Sequence, residues 1–275
     1  MPLAGNKEKQ LCTYSNDVFT EQALKFVREH KEKPFFLYLP YTAGHFEYVL
    51  PNAAPYGEKD WPKKEKFYAA MLTRMDRDVG RLLATLKELA IDDRTLVIFT
   101  SDNGPTSEGG HDADFFNSNG ELRGRKRDVY EGGIRVPFIA RWPGKIKAGT
   151  VNDSPVAFWD FFPTAADLVG AASPKDVDGV SFAAALRGEP LPAREYLYWE
   201  FHEGPQSKQA LRQGDWKAVR FGGPGKPLEL YHLKNDVSEK DNVAAKHTDV
   251  VAKMQMLLDG ARTPSAEWPL KSGGK

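Results

Sequence analysis

The run Thr95–Thr100 (TLVIFT) is continuously apolar and β-branched, and it ends in Ser101-Asp102-Asn103-Gly104-Pro105. A strand with no polar face belongs in the middle of a parallel sheet covered on both sides. Such a sheet needs crossover helices, so this run constrains the chain to an α/β layer structure. The flanking sequence supplies helices and further strands. Phe67, Met71, Met75, Val79, Leu82, Leu86 and Leu89 fall at three- and four-residue steps, predicting an amphipathic helix over about Lys64–Ala90, introduced by Trp61-Pro62. Thr20 is a candidate N-cap for a helix through about His30, with Ala23, Leu24 and Val27 inward. Phe35–Tyr41 and Val136–Trp142 read as buried strands, and Asp160–Gly170 as a short helix entered through Pro163.

Beyond about residue 185 the texture changes. Glu195–His202, Ala210–Phe221 and Leu228–Leu233 are aromatic-rich and separated by turn residues, which predicts an antiparallel meander. A helix at about Thr248–Leu258 follows. The boundary falls in the turn GEPLP, Gly188–Pro192, so residues 1–188 form the α/β domain and 189–275 a small antiparallel domain with a terminal helix. Met1–Gln10 and Lys271–Lys275 read as frayed ends.

At 275 residues the chain can bury a large core, and its 41% apolar and 28% charged residues fit a globular protein. Lys+Arg and Asp+Glu both number 38, giving zero net charge, which disfavours nucleic acid as a partner. The single cysteine, Cys12, excludes an internal disulfide. The polar first ten residues lack the apolar core of a secretory signal, and no apolar run reaches the ~18–20 residues of a membrane span.

The chemistry concentrates at the carboxyl ends of the strands, where open α/β sheets collect ligands. Asp102 and Asn103 stand at such an end. The Gly104-Pro105 turn lets their oxygens converge, and a carboxylate beside an amide carbonyl suits Ca²⁺ or Mg²⁺. The same five residues also read as a plain turn. Leu122-Arg123-Gly124-Arg125-Lys126-Arg127 sets four cations in five residues beside a glycine, an anion pocket in which Arg123 and Lys126 are candidate donors. The alternative is a solvated basic loop, and Glu131 is expected to pair with one of the arginines. His45 follows a strand end and could donate a proton to a leaving group. His111, in Gly109-Gly110-His111-Asp112, stands in a similar position. No nucleophile accompanies these parts. There is no G-x-S-x-G elbow, P-loop or H-E-x-x-H, and Cys12 has no activating partner in the sequence around it.

Taken in order, these segments resemble the sulfatase family of the alkaline-phosphatase-like superfamily. The carrying residues are the Phe35–Leu39 strand with His45 after it, Thr95–Pro105, Gly109–Asp112, Ser118–Lys126, Tyr130–Gly144, Asp160–Thr164 and Gly214–Arg220. Their spacing is similar to the C-terminal part of an arylsulfatase or glycosaminoglycan-type sulfatase, from about Tyr14 to Leu258. The resemblance implies an incomplete alkaline-phosphatase-like mixed sheet flanked by helices, followed by a small antiparallel sheet with one helix. It implies that Asp102 and Asn103 match two Ca²⁺ ligands and that Lys126 matches the lysine on a sulfate oxygen. His45 matches the histidine that contacts the sulfate ester and helps protonate the leaving group, although Gly44 stands where the family usually has proline. His111 matches a frequent family position, and with Arg123 it completes the candidate substrate-binding set.

The family's nucleophile is a formylglycine made from Cys or Ser in C-x-P-x-R or S-x-P-x-R, and neither pattern occurs here; Cys12 is followed by Tyr14 and Asn16 at the corresponding positions. The expectation is therefore the back half of a sulfuric ester hydrolase, inactive or very weak as an isolated chain, with weak or absent Ca²⁺ binding. Its expected partners are a sulfated small molecule or glycan, with self-association or pairing through sheet edges, and neither nucleic acid nor membrane. Two other readings remain: a non-catalytic remnant or binding module with an anion or sulfated-glycan pocket, and a phosphodiesterase-type hydrolase of the same superfamily. The family is often periplasmic, secreted or lysosomal; the sequence does not choose.

Overall fold

The computed structural model describes residues 13–172 and 175–273. In chain order the elements are α1 (Ser15–His30), α2 (Lys63–Glu88), β1 (Val97–Thr100), α3 (Glu131–Ile134), β2 (Phe138–Arg141), α4 (Phe161–Leu168), α5 (Ala183–Leu186), β3 (Leu197–Phe201), β4 (Lys208–Gln213), β5 (Trp216–Phe221), β6 (Leu228–His232) and α6 (Thr248–Gly260). They divide into two compact units. One runs up to Val97 and adds Thr106–Asn117 and Ala140–Ala148; the other comprises Ile98–Pro105, Ser118–Ile139 and the chain from Gly149 on.

The first unit is built on α1 and α2. Their apolar stripes meet in a core of Val27, Leu86 and Ile91, with Phe26, Phe35, Leu37 and Leu82 against it. Burying a side chain such as Leu86 stabilises the unit by about 1.5–3 kcal/mol. Polar groups fix the crossing: Arg74 Nε reaches Asp17 Oδ1 at 2.6 Å, and Thr20 Oγ1 is 3.2 Å from the buried Asp78 carboxylate. The helix starts at Ser15, earlier than the sequence predicts. Thr20 does not cap it but lies inside it, its hydroxyl bonded back to Asn16 O at 2.8 Å. Ala23, Leu24 and Val27 are buried as expected.

The expected strand Phe35–Tyr41 is not hydrogen-bonded into a sheet. It keeps the two-residue alternation of an extended segment: Phe35 and Leu37 join the core, whereas Phe36 and Tyr38 are about two-thirds exposed. Its sequence carries strand periodicity, but a strand is completed only by a partner's backbone. The two strands expected to be buried, β1 and β2, pair as a two-stranded sheet. β1 is only half-buried, and β2 exposes Phe138 and Ile139. A sheet of two strands cannot cover both of its faces.

The second unit holds an antiparallel meander in the order β3-β4-β5-β6. The expected segment Ala210–Phe221 is a hairpin rather than one strand. It turns at Gly214-Asp215, and Gln213 opposite Trp216 is its last pair. Register sorts the side chains by face. Leu211, Ala218 and Leu230 form one row across the sheet and pack on Met254 and Leu258 of α6. Ala210, Val219 and Tyr231 project to the other face and meet Val129 and Tyr130 from the loop before α3. α4 begins within the Asp160-Phe-Phe-Pro-Thr164 stretch, directly after Asp160. Asp160 is fully buried, accepting from Ala157 N at 2.7 Å and Val180 N at 2.9 Å and pairing with Arg194 at 2.6 Å. That motif ties loops together. Lys271, placed in a frayed end by the sequence, is instead fixed: its N–H donates to Ser207 Oγ at 2.8 Å, and its carbonyl accepts from Ser207 N at 2.9 Å.

Candidate active site

Three backbone segments of the second unit are locked together by contacts that only glycine permits. The turn after β1 presses Gly104 on Gly132, so that a Cβ on Gly104 would lie 1.8 Å from Gly132 O. Gly132 in turn lies against the basic loop, where its own Cβ would meet Gly124 O at 2.2 Å. Hydrogen bonds follow the same contacts: Gly104 N to Gly133 O at 2.9 Å, Gly132 N to Arg123 O at 2.7 Å, and Lys126 N to Pro105 O at 2.8 Å. The backbone carrying Asp102 and Asn103 is thus joined directly to the backbone carrying Lys126, with Tyr130–Gly133 as the third member.

On the turn, Asp102 is exposed and its Oδ1 accepts from Asn103 N at 3.0 Å. Asn103 donates its side-chain N–H to Gly104 O at 2.9 Å, so its amide oxygen is the atom of that group able to accept. Among the described residues no group of three or more His, Cys, Asp or Glu side chains is arranged to hold a metal ion. Two hard oxygens on a rigid turn fit part of a Ca²⁺ shell, which takes about 6–8 oxygens, and not the whole of one. Cys12 lies outside the described residues, so no residue described here fits as precursor of a formylglycine.

The cations of the basic loop have separate fates. Lys126 is half-buried. Arg127 pairs with Glu203 at 2.6 Å. Arg123 is committed to the meander: its guanidinium donates to Tyr231 Oη at 2.8 Å, Glu239 O at 2.9 Å and Tyr130 Oη at 3.1 Å, and lies 3.8 Å from the Tyr130 ring centre. These bonds anchor the loop to the meander, while Arg123 as a whole stays exposed.

Beneath the loop lies a charge cluster that the sequence reading missed. Glu131 pairs most closely with Lys217, whose Nζ is 2.9 Å from Glu131 Oε1, and more loosely with Arg135 and Arg212 at 3.9 and 4.0 Å. Lys217 Nζ also lies 2.9 Å from Glu239 Oε1, and Glu239 Oε2 accepts from Glu131 N at 2.6 Å. Burial pushes the Glu239 carboxyl up, with Lys217 and the Glu131 N–H opposing that and the Glu131 charge adding to it. The available signal was Lys217 itself, whose place on the inward face of β5 follows from alternation with Val219. Burial also raises the Tyr231 hydroxyl to about 12, with the neighbouring Glu229 carboxylate adding to the shift.

His45 and His111 belong to the other unit. His45 is exposed, stacks on Phe46 at 4.6 Å, and its Nδ1 meets Phe46 O. The turn before it passes through Gly44 at φ +90°, closed to proline, whose ring holds φ near −65°. The departure from the family pattern at Gly44 therefore changes the local backbone. His111 is buried, its Nδ1 2.5 Å from Glu65 Oε2 and its ring stacked on Tyr68 at 3.8 Å. Its Nε2 is buried without a hydrogen-bond partner among the described residues. Glu65, on α2, also accepts from Asp112 N at 2.9 Å; no sequence signal marked it.

Residues 3–171 match the family model for sulfatases, and residues 124–263 match that for the C-terminal region of N-sulphoglucosamine sulphohydrolase. This chain belongs to the sulfatase family. It is 32% identical over 271 residues to an N-acetylgalactosamine-6-O-sulfatase of Bacteroides thetaiotaomicron, an alignment covering 90% of this chain and 51% of that protein. Among solved structures, that of Ps i-CgsB in complex with k-i-k-neocarrahexaose matches with a TM-score of 0.78 and 32% identity, over 91% of this chain and 55% of that one. A phosphonate monoester hydrolase from Silicibacter pomeroyi matches at TM-score 0.55 and 27% identity, over 76% and 45% of the two chains. The fold is that of the alkaline-phosphatase-like sulfatases, and this chain spans about half the length of the curated relatives it matches.

Proposed function

We propose that this chain supplies the sulfate-holding and leaving-group side of a sulfuric ester hydrolase acting on a sulfated sugar or aryl sulfate. The observation that carries this reading is the Pro105–Lys126 backbone bond of 2.8 Å, which ties the Asp102-Asn103 turn to the lysine loop. In this proposal the Lys126 ammonium binds and orients a sulfate oxygen by a charge-assisted hydrogen bond. Asp102 and Asn103 contribute oxygens to a Ca²⁺ that neutralises sulfate charge when bound. His45 delivers a proton to the departing alcohol oxygen, and His111, held by Glu65, steadies the loop after Gly110. Residues 1–188 form the catalytic-domain portion and 189–275 the small domain, whose Lys217 supports the Tyr130–Gly133 loop from beneath.

No step is assigned to a nucleophile, because no described residue fits that role. The 275 residues alone are accordingly proposed to turn over no sulfate ester. The exposed Phe36 and Tyr38 of one unit, and Phe138 and Ile139 of the other, would be covered by further strands or by a second copy.

The phosphonate monoester hydrolase likeness favours one competing reading, a metal-dependent phosphoester hydrolase. Assay of the purified chain with 4-nitrophenyl sulfate and bis(4-nitrophenyl) phosphate, with Ca²⁺ and then Mn²⁺, separates the two. Sulfate release above background would refute the proposed inactivity, and diester cleavage with Mn²⁺ would transfer the assignment. Fusing the chain behind a C-x-P-x-R-containing front half of a sulfatase, with and without Lys126→Ala, tests the positive claim. Sulfatase activity of the fusion that survives Lys126→Ala undiminished would remove that residue from the site.

A further inference from the structure

The first unit carries a basic and aromatic surface around Tyr56–Phe67 (YGEKDWPKKEKF) that the proposed chemistry does not use. Trp61 stacks on Tyr56 with ring centres 5.4 Å apart, and Phe115 and Phe116 meet it edge-on at 5.7 and 5.3 Å. Phe115 remains 40% exposed, so the cluster reaches solvent as a rigid apolar step.

One ammonium lies beside it and three more lie along the same segment. Lys59 Nζ lies 5.9 Å from the Trp61 ring, and Lys63 Nζ lies 5.9 Å from the Phe67 ring. Lys66 Nζ donates to Gly57 O at 3.0 Å, and Lys64 Nζ donates to Gly109 O. These anchors are carbonyls and ring faces, which orient an ammonium without neutralising it. Among the described residues none of these four lysines is in an ion pair. The acidic residues of the segment are Glu58, Asp60 and Glu65, and Glu65 is turned inward to His111. Since the whole chain has zero net charge, attraction of a polyanion here would be local.

We propose that this surface binds a sulfated glycan chain, with Trp61 and Phe115 against sugar C–H faces and Lys59, Lys63 and Lys66 on sulfate groups. It rests on the sulfatase reading and deepens it, naming a polymeric sulfated glycan rather than a small aryl sulfate as the substrate class. Flat rings bind the apolar face of a sugar at little entropic cost, and fixed ammoniums select sulfated from unsulfated chains.

Binding of the 275-residue chain to immobilised chondroitin 6-sulfate, unsulfated chondroitin and polyglutamate, at about 0.1 M salt to keep screening modest, tests this. Chondroitin 6-sulfate is expected to bind at least about tenfold more tightly than either control. The Lys59→Gln/Lys63→Gln/Lys66→Gln variant, altered only at exposed or half-exposed side chains, should lose about tenfold for the sulfated chain. Trp61→Ala, with its fold checked by circular dichroism, should weaken sulfated binding without raising polyglutamate binding. Equal binding of polyglutamate would assign the surface to acidic peptides, and a triple variant within about twofold of the parent would overturn the site. Because the readout is binding, a glycan-binding chain whose front-half fusion hydrolyses no sulfate ester would sink the catalytic reading alone. An active fusion with an unaffected triple variant would sink this one alone.

Discussion

A methyl group has nowhere to go at Gly104. The obstruction is Gly132 O, a backbone atom that cannot rotate aside. Gly104→Ala must pry the Asp102 turn from the Tyr130–Gly133 loop, and a loss of about 3–5 kcal/mol is expected by urea unfolding, in the range of severe core disruptions. Gly57→Ala, which has open space and no positive φ, should change stability by less than about 0.5 kcal/mol. Equal losses at both positions would contradict the packing argument. At this scale the sequence marked Asp102, Asn103 and Lys126 by residue type and order, but it could not separate a ligand turn from an ordinary one. Arg123 and Lys126 looked alike because both are cations beside Gly124. Only the positions of Tyr130, Tyr231 and Glu239 O showed that Arg123 is bonded to the meander.

At the scale of elements, the meander is closed by a polar network that runs between β3 and the C-terminal segment. Glu200 on β3 accepts from Arg262 Nε at 2.9 Å and Tyr198 Oη at 2.5 Å, and its Oε1 is 3.0 Å from His202 Nε2. His202 Nδ1 faces Ser207 Oγ at 2.9 Å, the same hydroxyl that accepts from Lys271 N. Burial alone would raise the Glu200 carboxyl, but the hydrogen bonds from Tyr198, His202 and Arg262 outweigh it and hold the carboxyl below its usual range. A depressed carboxyl stabilises the fold above its unfolded pKa of about 4.3, and that contribution is lost as pH falls through the folded value. Glu200→Gln should therefore cost about 1.5–3 kcal/mol near pH 7, and the gap to the parent should close below about pH 4. A gap of constant size across pH 3–7 in thermal unfolding would refute the assignment. Helices α1, α2, α4 and α6 were readable because their periodicity is local. The strands were readable as extended segments but not as sheet members, since pairing depends on residues far away in sequence.

For the whole molecule, cation affinity is the deciding quantity. Two oxygens from Asp102 and Asn103 supply only part of the ~6–8 that Ca²⁺ requires. Adding Ca²⁺ to about 5 mM should leave the unfolding midpoint within ~1 °C, whereas a micromolar site would add about 5 kcal/mol by mass action. A large Ca²⁺-dependent shift, abolished by Asp102→Ala, would show that the chain completes the shell itself.

The sequence by itself determined the order of motifs, the amphipathic helices, the antiparallel C-terminal sheet and the resemblance to sulfatases, because these depend on residue type and on spacing along the chain. The tertiary structure alone decided that Lys217 is the nearest cation to Glu131, that Gly104 and Gly132 join the two loops, and that Phe36, Tyr38, Phe138 and Ile139 stay exposed. Those outcomes depend on which backbone atoms come within a few ångströms of one another, and the spacing of residues along a chain does not specify that distance.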